Sequence, residues 1–444
     1  MTTLCLSILE NNEPQALINH RHYCSKMGYR HELVSVAGLQ STAHRIIYKY
    51  ELILHHLRHL PESALLVCFT DDCVILGMHP VESMATGRDY LLMSVDGEGY
   101  DRQTAVQVWR NTAAMRTLIA GFITRAKVTT GLGHELDLHA DLDYLPPYAQ
   151  LAGCYCSIIC NVRREPTWAR RADVWTLVLS DVELYAGTHP RFRSALFEHV
   201  NDWQQKGTPA LEFPAYDGVS QGDLSVYNAG QPVAIVMYYT PNIRQFGAIA
   251  ESNFLRYCTR HGHTLYVHRE TPSDAEPGMS GTWLKPWLLK KYLPQHEWVM
   301  WIDSDILFVN QAMKLEPLLA CRDFVAAHDI GPWIINAGVL GLRQTRRNFE
   351  LLEHILASIR AVSDKSSTYA SGGDQTVIAD ILKDQPGWDL EAALSLVDLN
   401  TPWFFQQDSS LMVHYYGMAA GLRAMMMAAQ DRISLQLSVT QRRT

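Results

Sequence analysis

The chain has 444 residues, 47% of them apolar and 19% charged, so it is long enough for two domains and too apolar for a disordered protein. Asp and Glu outnumber Lys and Arg by 46 to 38, the formal net charge is −8, and no basic block occurs, which argues against nucleic acid or an anionic membrane as the main partner. The first residues lack a basic and apolar leader, and no run reaches the roughly 18 apolar residues of a membrane span, so we expect a cytoplasmic protein.

Short apolar runs alternate with amphipathic patterns in the first half of the chain. This alternation predicts a mainly parallel sheet with helices on both faces. Ligands of such sheets collect where the strands end at their carboxyl edge. In chain order, the segments are a helix end, glycine turn and strand at 23–36, an amphipathic helix at 48–57 and a buried strand at 65–76.

The second half repeats these segments in the same order, at 257–270, 284–293 and 298–309. Two later segments, 191–200 and 220–227, resemble 346–355 and 371–378. Five ordered matches indicate an internal duplication. Within them we pair Gly28 with Gly262, Lys49 with Lys285, Asp71 with Asp303, and Cys73 with Asp305.

The duplication predicts two tandem α/β domains. We place the boundary at the turn-rich stretch Asn228–Pro232, ahead of the new apolar run VAIVMYY. The predicted domains are 1–230, with an insertion around 77–170, and 231–444.

The run WVMWIDSDILFVN, residues 298–310, places two carboxylates inside an apolar strand. Burying them unpaired would be costly, so either a cation lies at the strand end or the two residues only cap a turn. Asp303 and Asp305 stand at i and i+2, and such residues face the same way from an extended chain. The pair suits Mg²⁺ or Mn²⁺ holding a diphosphate. On spacing alone, the metal and the capped turn are equally favoured.

Three downstream segments place polar residues in apolar surroundings. Asn336 and Gly338 interrupt an apolar run, which permits close approach of a ligand but also fits a β-bulge. Asp374 and Gln375 follow Gly-Gly at the start of a predicted helix, where Asp374 could serve only as an N-cap. His414 follows an apolar pair, and a lone histidine of this kind is more often a core residue than a ligand.

Together these blocks resemble a known family. EWVMWIDSDILFVN, preceded by W-L-K at 283–285 and followed by N-A-G, G-D-Q and H-Y-Y-G, is similar to metal-dependent glycosyltransferases of the GT-A fold. It is most similar to glycosyltransferase family 34, which includes fungal galactosyl- and mannosyltransferases and plant xyloglucan xylosyltransferases. The resemblance covers roughly residues 232–420, and it implies a GT-A-like fold for both halves, with the first half catalytically degenerate.

The resemblance also implies roles for individual residues. Asp303 and Asp305 would contact the ribose and the metal, and His414 would complete a Mn²⁺ or Mg²⁺ site. Asp374 and Gln375 would be catalytic residues near the anomeric carbon. The nucleotide-sugar site would further include Lys285, Asn336, Gly338 and Tyr239.

The implied function is retaining transfer of a hexose or pentose from a nucleotide sugar to a glycan or small-molecule acceptor, with UDP-sugars favoured over GDP-mannose. The halves could pack against each other or form a homodimer. A non-catalytic protein of the same fold that binds nucleotide sugars or glycans is the alternative. A phosphotransferase of the haloacid dehalogenase type is a weaker one, because its Asp pair usually opens the first strand of the domain and no Thr follows Asp305.

Overall fold

The computed structural model describes most of the chain. The chain divides into two compact units, residues 1–210 and 211–444, each of mixed α/β structure. Among the described residues, no helix is both long enough and apolar enough to cross a membrane. The described residues are 2–10, 13–39, 41–95, 102–129, 135–139, 152–159, 162–179, 189–207, 211–212, 222–366, 373–385 and 393–440.

The first unit contains strands β1 to β8 and helices α1 to α5. The strands are β1 Thr3–Leu9, β2 Arg30–Ser35, β3 Leu65–Thr70, β4 Cys73–Ile75, β5 Tyr90–Val95, β6 Arg102–Arg110, β7 Ala152–Ile159 and β8 Thr176–Val178. The helices are α1 Pro14–Met27, α2 Thr42–His59, α3 Val81–Met84, α4 Ala113–Val128 and α5 Pro190–Lys206.

The second unit contains strands β9 to β17 and helices α6 to α12. The strands are β9 Leu224–Tyr227, β10 Val233–Tyr238, β11 Thr264–His268, β12 Trp298–Ile302, β13 Ile306–Phe308, β14 Phe324–Ala327, β15 Asn336–Arg343, β16 Thr401–Pro402 and β17 Met412–His414. The helices are α6 Arg244–His261, α7 Lys285–Tyr292, α8 Glu316–Leu319, α9 Arg346–Ala361, α10 Asp374–Lys383, α11 Leu396–Leu399 and α12 Ala420–Thr440.

Each unit is built on a mixed sheet. The first unit has one sheet in the order β2-β1-β3-β6-β5-β7-β8-β4, in which β2, β1 and β3 are parallel and β6 is antiparallel to both neighbours. The main sheet of the second unit runs β14-β15-β12-β10-β11-β9, with β12, β10 and β11 parallel and the outer strands antiparallel to their neighbours. The prediction of mainly parallel sheets is therefore corrected to mixed sheets, because β6 and β15 return beside β3 and β12 in the opposite direction.

The two units share one strand order. The series β2-β1-β3-β6-β5 in the first unit corresponds to β11-β10-β12-β15-β14 in the second, with the same sense at every pairing. The register agrees as well, since Leu65 is opposite Arg110 and Trp298 is opposite Arg343. Outside this series, β4 is antiparallel to β8, as β13 is to β17.

A buried asparagine clamps the same strand in both units. Asn19 of α1 donates to the main-chain oxygen of Ile75 at 3.0 Å and accepts from its N–H at 2.7 Å. Asn253 of α6 makes the same two contacts with Phe308, at 3.2 and 2.8 Å. The short strands β4 and β13 are thus held by equivalent side chains.

Two predictions about the domain limits are corrected. The predicted boundary at residue 230 falls too late, because the units divide after residue 210 and β9 pairs antiparallel with β11. The segment around 77–170, predicted to be an insertion, contributes strands to the sheet of the first unit. It contains β5 and β6, which pair with each other, and β6 pairs with the central strand β3.

Three of the five predicted segment matches agree with the structure. The turns at Gly28 and Gly262 are confirmed: each glycine ends a helix with φ of 71°, a left-handed conformation that favours glycine. The match of 191–200 with 346–355 is wrong. Residues 191–200 lie in α5, which packs on α1 as α12 packs on α6, so α5 corresponds to α12. Residues 346–355 lie in α9, which follows β15 and has a different place in the fold. The match of 220–227 with 371–378 is also wrong, because the first contains a strand and the second the start of a helix. Positions 220–221 and 371–372 lie outside the described residues.

Candidate functional site

A turn between two strands carries the predicted carboxylate pair. Residues 298–310 are not one strand, because β12 ends at Ile302 and β13, which joins a separate small sheet, begins at Ile306. The N–H of Ile306 donates to the main-chain oxygen of Asp303 at 3.2 Å and closes the turn. The expectation that an extended chain turns Asp303 and Asp305 the same way is therefore wrong. The turn brings the two side chains together instead.

His414 lies beside this turn because β17 pairs with β13, with His414 opposite Ile306. One ligand atom from each of Asp303, Asp305 and His414 can be chosen such that all three lie within 4.8 Å of one another. Two carboxylate oxygens and an imidazole nitrogen are donors that Mn²⁺ accepts. The Nδ1 atom of His414 is buried and has no hydrogen-bond partner among the described residues. The three residues therefore fit a divalent cation.

Gly338 makes room for the histidine ring. A Cβ atom at this position would lie 2.6 Å from Cε1 of His414 and 2.9 Å from Oδ1 of Asn336. Real Cβ atoms do not approach other atoms so closely, so a larger residue would push the imidazole away. Gly338 also accepts, through its main-chain oxygen, from the N–H of Asp303 at 2.8 Å. The predicted close approach at Gly338 is thus to a side chain of the site itself.

Lys285 joins two of the predicted acidic residues. It is the first residue of α7, its side chain is 2% exposed, and its Nζ lies 3.4 Å from Asp303 Oδ1 and 3.0 Å from Asp374 Oδ2. It also donates to the main-chain oxygen of Ala337 at 2.7 Å. Asp374 is not the N-cap of α10, because that position belongs to Gly373. The carboxylate of Asp374 therefore serves the ion pair rather than the helix end.

Burial and opposite charges compete at these groups. Burial raises the pKa of Asp303, and the nearby charge of Asp305 adds to this effect, although Lys285 opposes it. Burial also acts to raise the pKa of Asp305, but His414 and Arg423 outweigh it and hold that pKa well below its usual range. The pKa of Lys285 is raised, because Asp303 and Asp374 outweigh the effect of burial. Asp305 and Lys285 are therefore charged near neutral pH.

Arg423 is a site residue that the sequence reasoning missed. It is the fourth residue of α12, and its Nη1 lies 3.0 Å from Asp305 Oδ2. Arg193, the fourth residue of α5, pairs in the same way with Asp72 at 2.7 Å. Aligning the two helices would have revealed Arg423.

The amides of the predicted site residues meet at Asp329, which was also missed. Gln375 Nε2 and Asn336 Nδ2 donate to Asp329 Oδ2 at 2.9 and 3.1 Å. The structure thus places Gln375 and Asn336 together, beside Gly338 at the start of β15. No local sequence pattern distinguishes Asp329 from an ordinary turn residue.

Tyr239 belongs to a different buried network. Its ring packs on Gly247, where a Cβ atom would lie 2.6 Å from Tyr239 Cγ. Its hydroxyl donates to Glu251 Oε2 at 2.7 Å and accepts from Arg269 Nε at 3.1 Å. The described partners of this hydroxyl are therefore Glu251 and Arg269, not the carboxylates of the candidate site.

The equivalent turn of the first unit carries different residues. Because β4 begins at Cys73 as β13 begins at Ile306, Cys73 does not correspond to Asp305, and the predicted pairing is corrected by one residue. Asp72 takes the place of Asp305, and Thr70, at the end of β3, takes the place of Asp303.

The first unit also has no histidine at the position equivalent to His414. Cys73 is opposite Val178 in the β4–β8 pair, so Val178 stands where the second unit has His414. Ala105 stands where the second unit has Gly338, as the registers of β6 and β15 show. This turn has two carboxylates: Asp72 pairs with Arg193, and Asp71 accepts from the main-chain N–H of Glu10 at 3.1 Å.

Comparisons with known proteins find similarity to glycosyltransferases. Residues 238–328 match the model of glycosyltransferase family 34, the galactosyl transferase GMA12/MNN10 family. A probable glycosyltransferase 3 of rice, Oryza sativa, is 32% identical over 123 residues, which cover 23% of this chain and 24% of the rice protein. A probable glycosyltransferase 2 of rice is 38% identical over 74 residues, covering 16% of this chain and 15% of that protein. The matches thus span about a quarter or less of the rice proteins.

Two solved structures are also similar. A glycosyltransferase involved in glycosylation of the major capsid of PBCV-1 is 19% identical, with a TM-score of 0.37, over 44% of this chain and 98% of that chain. The galactosyltransferase LgtC, solved with donor and acceptor sugar analogues, is 13% identical, with a TM-score of 0.30, over 44% of this chain and 95% of that chain. The family match confirms the resemblance predicted from the ordered blocks: in its second unit, this chain resembles the galactosyl transferase GMA12/MNN10 family.

Proposed function

We propose that the second unit is the catalytic domain of a metal-dependent glycosyltransferase. It transfers a hexose or pentose from a nucleotide sugar, a UDP-sugar or GDP-mannose, to a glycan or small-molecule acceptor with retention at the anomeric carbon. The observation that carries this proposal is the convergence of Asp303 and Asp305, in the turn between β12 and β13, with His414 of β17. The family match of residues 238–328 supports the reaction class.

Asp303, Asp305 and His414 would hold Mn²⁺ or Mg²⁺. When bound, a divalent cation neutralises charge that develops on the diphosphate leaving group, and this matters more in the transition state than in the ground state. Arg423 adds a second positive charge beside Asp305. Lys285 balances Asp303 and Asp374, so the protein does not present three uncompensated carboxylates to an anionic substrate.

Gln375 and Asp374 would lie near the anomeric carbon. As the bond from this carbon to the diphosphate breaks, positive charge develops on the sugar ring, and fixed amide and carboxylate oxygens stabilise it. The acceptor hydroxyl then bonds to the same face, and its proton passes to the departing phosphate oxygen. The ion pair of Asp374 with Lys285 weakens it as a nucleophile, which favours such a front-face path over a covalent intermediate.

The first unit is proposed to be a GT-A-like domain without a metal site, derived from an internal duplication. The shared strand order and the equivalent asparagine clamps support common descent. Thr70 and Val178 stand where the second unit has Asp303 and His414, so the first unit lacks this set of donors. Acceptor binding or packing within the protein is the role left to it.

The test is a titration of UDP and GDP with and without Mn²⁺, followed by incubation with UDP-galactose, UDP-glucose and GDP-mannose. We expect tighter binding of one nucleoside diphosphate with Mn²⁺, and slow Mn²⁺-dependent release of free sugar detected by mass. Equal affinity with and without the metal would refute the metal role. Metal-dependent binding with no turnover of any donor would favour the non-catalytic binding protein instead.

A further inference from the structure

One carboxylate orients two amides of the candidate site. Gln375 Nε2 and Asn336 Nδ2 both donate to Oδ2 of Asp329, at 2.9 and 3.1 Å. The other oxygen, Oδ1, accepts from the main-chain N–H of Gly331 at 2.7 Å. Asp329 follows the end of β14 by two residues, so the carboxylate lies at the sheet edge where β15 begins.

The donors and acceptors around these amides determine how each amide lies. The main-chain N–H of Ala337 donates to Gln375 Oε1 at 2.9 Å, whereas the carboxylate of Asp329 can only accept. If Oε1 and Nε2 of Gln375 exchanged places, its NH₂ group would face the N–H of Ala337 and its oxygen would face the carboxylate of Asp329. Asn336 is fixed in the same way, because its Oδ1 accepts from the N–H of Gly338 at 3.0 Å.

The network extends to a buried oxygen that has no partner. Asn400 Nδ2 donates to Asn336 Oδ1 at 2.8 Å, so the oxygen of the Asn400 amide is directed elsewhere. Asn400 is 3% exposed, and its Oδ1 has no hydrogen-bond partner among the described residues. A buried acceptor left without a donor is costly, and a ligand hydroxyl would satisfy it.

Asp329 differs from the other acidic residues of the candidate site because no cationic side chain among the described residues pairs with it. Asp303 and Asp374 pair with Lys285, and Asp305 pairs with Arg423. In the part of the chain that the structure describes, no ion pair involves Asp329. A carboxylate has about four acceptor positions, and the protein fills three of them here. The remaining position and the negative charge suit the hydroxyl group of a sugar.

We propose that Asp329 is a positioning residue of a sugar-hydroxyl subsite. It holds the amides of Gln375 and Asn336, and through Asn336 that of Asn400, in the orientation that receives hydroxyl groups of the donor pyranose. This inference rests on the proposed function, and it identifies the residues that bind the sugar as distinct from those that bind the diphosphate. The metal and Arg423 serve the diphosphate, whereas the Asp329 network serves the sugar ring.

The test is Asp329→Asn, measured with Mn²⁺ present against UDP-galactose and against UDP alone. All three protein groups bound to Asp329 are donors, so replacing one oxygen by NH₂ must break the network on one side. We expect the Kd for UDP-galactose to rise about tenfold and the kcat/KM of its hydrolysis to fall by at least as much, while the Kd for UDP changes by less than about twofold.

Asp323→Asn is the matched control at the other end of β14. The Asp323 carboxylate is 52% exposed and lies 3.8 Å from its partner Arg343, so this variant should behave as the wild type. Wild-type kinetics in Asp329→Asn would overturn the inference. So would a parallel loss of UDP affinity and thermal stability, since that pattern indicates a structural role. Absence of Mn²⁺-dependent UDP binding in the wild type would instead overturn the proposed function, and this inference with it.

Discussion

Lys285 Nζ lies 3.0 Å from Asp374 Oδ2 in the interior of the second unit. The first unit contains an equivalent pair, because Lys49 Nζ lies 2.9 Å from Glu135 Oε1. Each ammonium also donates to a main-chain oxygen of the returning strand, β15 or β6. The pair persists in the first unit, which has Thr70 and Val178 in place of Asp303 and His414. It is therefore a part of the fold that the candidate site uses, rather than a feature of that site alone.

Lys285→Met tests this double role. The substitution leaves Asp374, whose side chain is 8% exposed, without its cation, and removing one partner of a buried pair costs about 3–5 kcal/mol. We expect that loss in the free energy of unfolding by urea, together with loss of Mn²⁺-dependent UDP binding. Lys49→Met is the matched control, which should destabilise the first unit but leave UDP affinity unchanged. Wild-type stability of Lys285→Met would contradict the assignment.

The predicted elements agree best where a local pattern determines the structure. The apolar run of β12 and the glycine turns at 28 and 262 follow from local sequence, and the structure has them at these positions. The antiparallel strand β9 was placed in the wrong domain, because its partner β11 lies about 40 residues further along the chain. Pairing between strands this far apart in the chain cannot be predicted from a short stretch of sequence.

In the candidate site, too, only some of the residues could be predicted from the sequence. The resemblance named Asp303, Asp305 and His414, and the structure brings them together. Asp329 and Arg423 were missed because each acts through a partner distant in sequence, Gln375 for one and Asp305 for the other. A carboxylate after an edge strand and an arginine in the first turn of a helix are ordinary features by themselves.

Asp305→Asn should remove the metal dependence of nucleotide binding. The change deletes the charge that His414 and Arg423 stabilise, and an amide oxygen is a weaker ligand for Mn²⁺. We expect the affinity for UDP in the presence of Mn²⁺ to fall to its metal-free value in isothermal titration calorimetry. Asp72→Asn, at the equivalent position of the first unit, should leave both affinities unchanged. An equal loss in the two variants would indicate that the first unit also takes part in nucleotide binding.

The stoichiometry of the metal follows from the same comparison. The first unit has Thr70 and Val178 where the second has Asp303 and His414, so we expect one Mn²⁺ per chain. The measurement is equilibrium dialysis with metal analysis in the presence of UDP. His414→Ala should bring the number close to zero. Two equivalents in the wild type would show that the first unit binds a metal through a different set of residues.

Protonation of His20 should weaken the first unit in mild acid. His20 Nε2 donates to the main-chain oxygen of Cys73 at 2.9 Å, and its Nδ1 accepts from the Ser7 hydroxyl, also at 2.9 Å. Burial lowers the pKa of His20 to about 4, despite the opposing effect of the Cys73 contact.

The unfolded chain, whose histidines titrate near pH 6.5, binds more protons than the folded chain between about pH 6.5 and pH 4. Stability is therefore complete above this window and falls as the pH decreases through it, by roughly 2 kcal/mol at about pH 5. Urea unfolding at about pH 7 and about pH 5 should show a smaller difference for His20→Gln than for the wild type. Identical differences in the two proteins would exclude His20 as the cause.

Gly338→Ala should impair the metal site without unfolding the chain. The added Cβ atom would meet Cε1 of His414 at 2.6 Å, and the main chain of β15 is fixed by its pairing with β12, so the imidazole must move. We expect at least about a tenfold loss of Mn²⁺ affinity in a titration followed by calorimetry, because disturbing the groups that position a metal ligand typically costs that much.

Gly341→Ala, on the same strand, provides the control. Its Cβ atom would meet the flexible side chain of Met300, which can turn away, so Mn²⁺ affinity should stay at the wild-type value. The first unit has an alanine, Ala105, at the position equivalent to Gly338. There the position of His414 is taken by Val178, whose smaller side chain does not need the space of an imidazole ring. Unchanged Mn²⁺ affinity in Gly338→Ala would mean that the imidazole of His414 does not contribute to binding the metal.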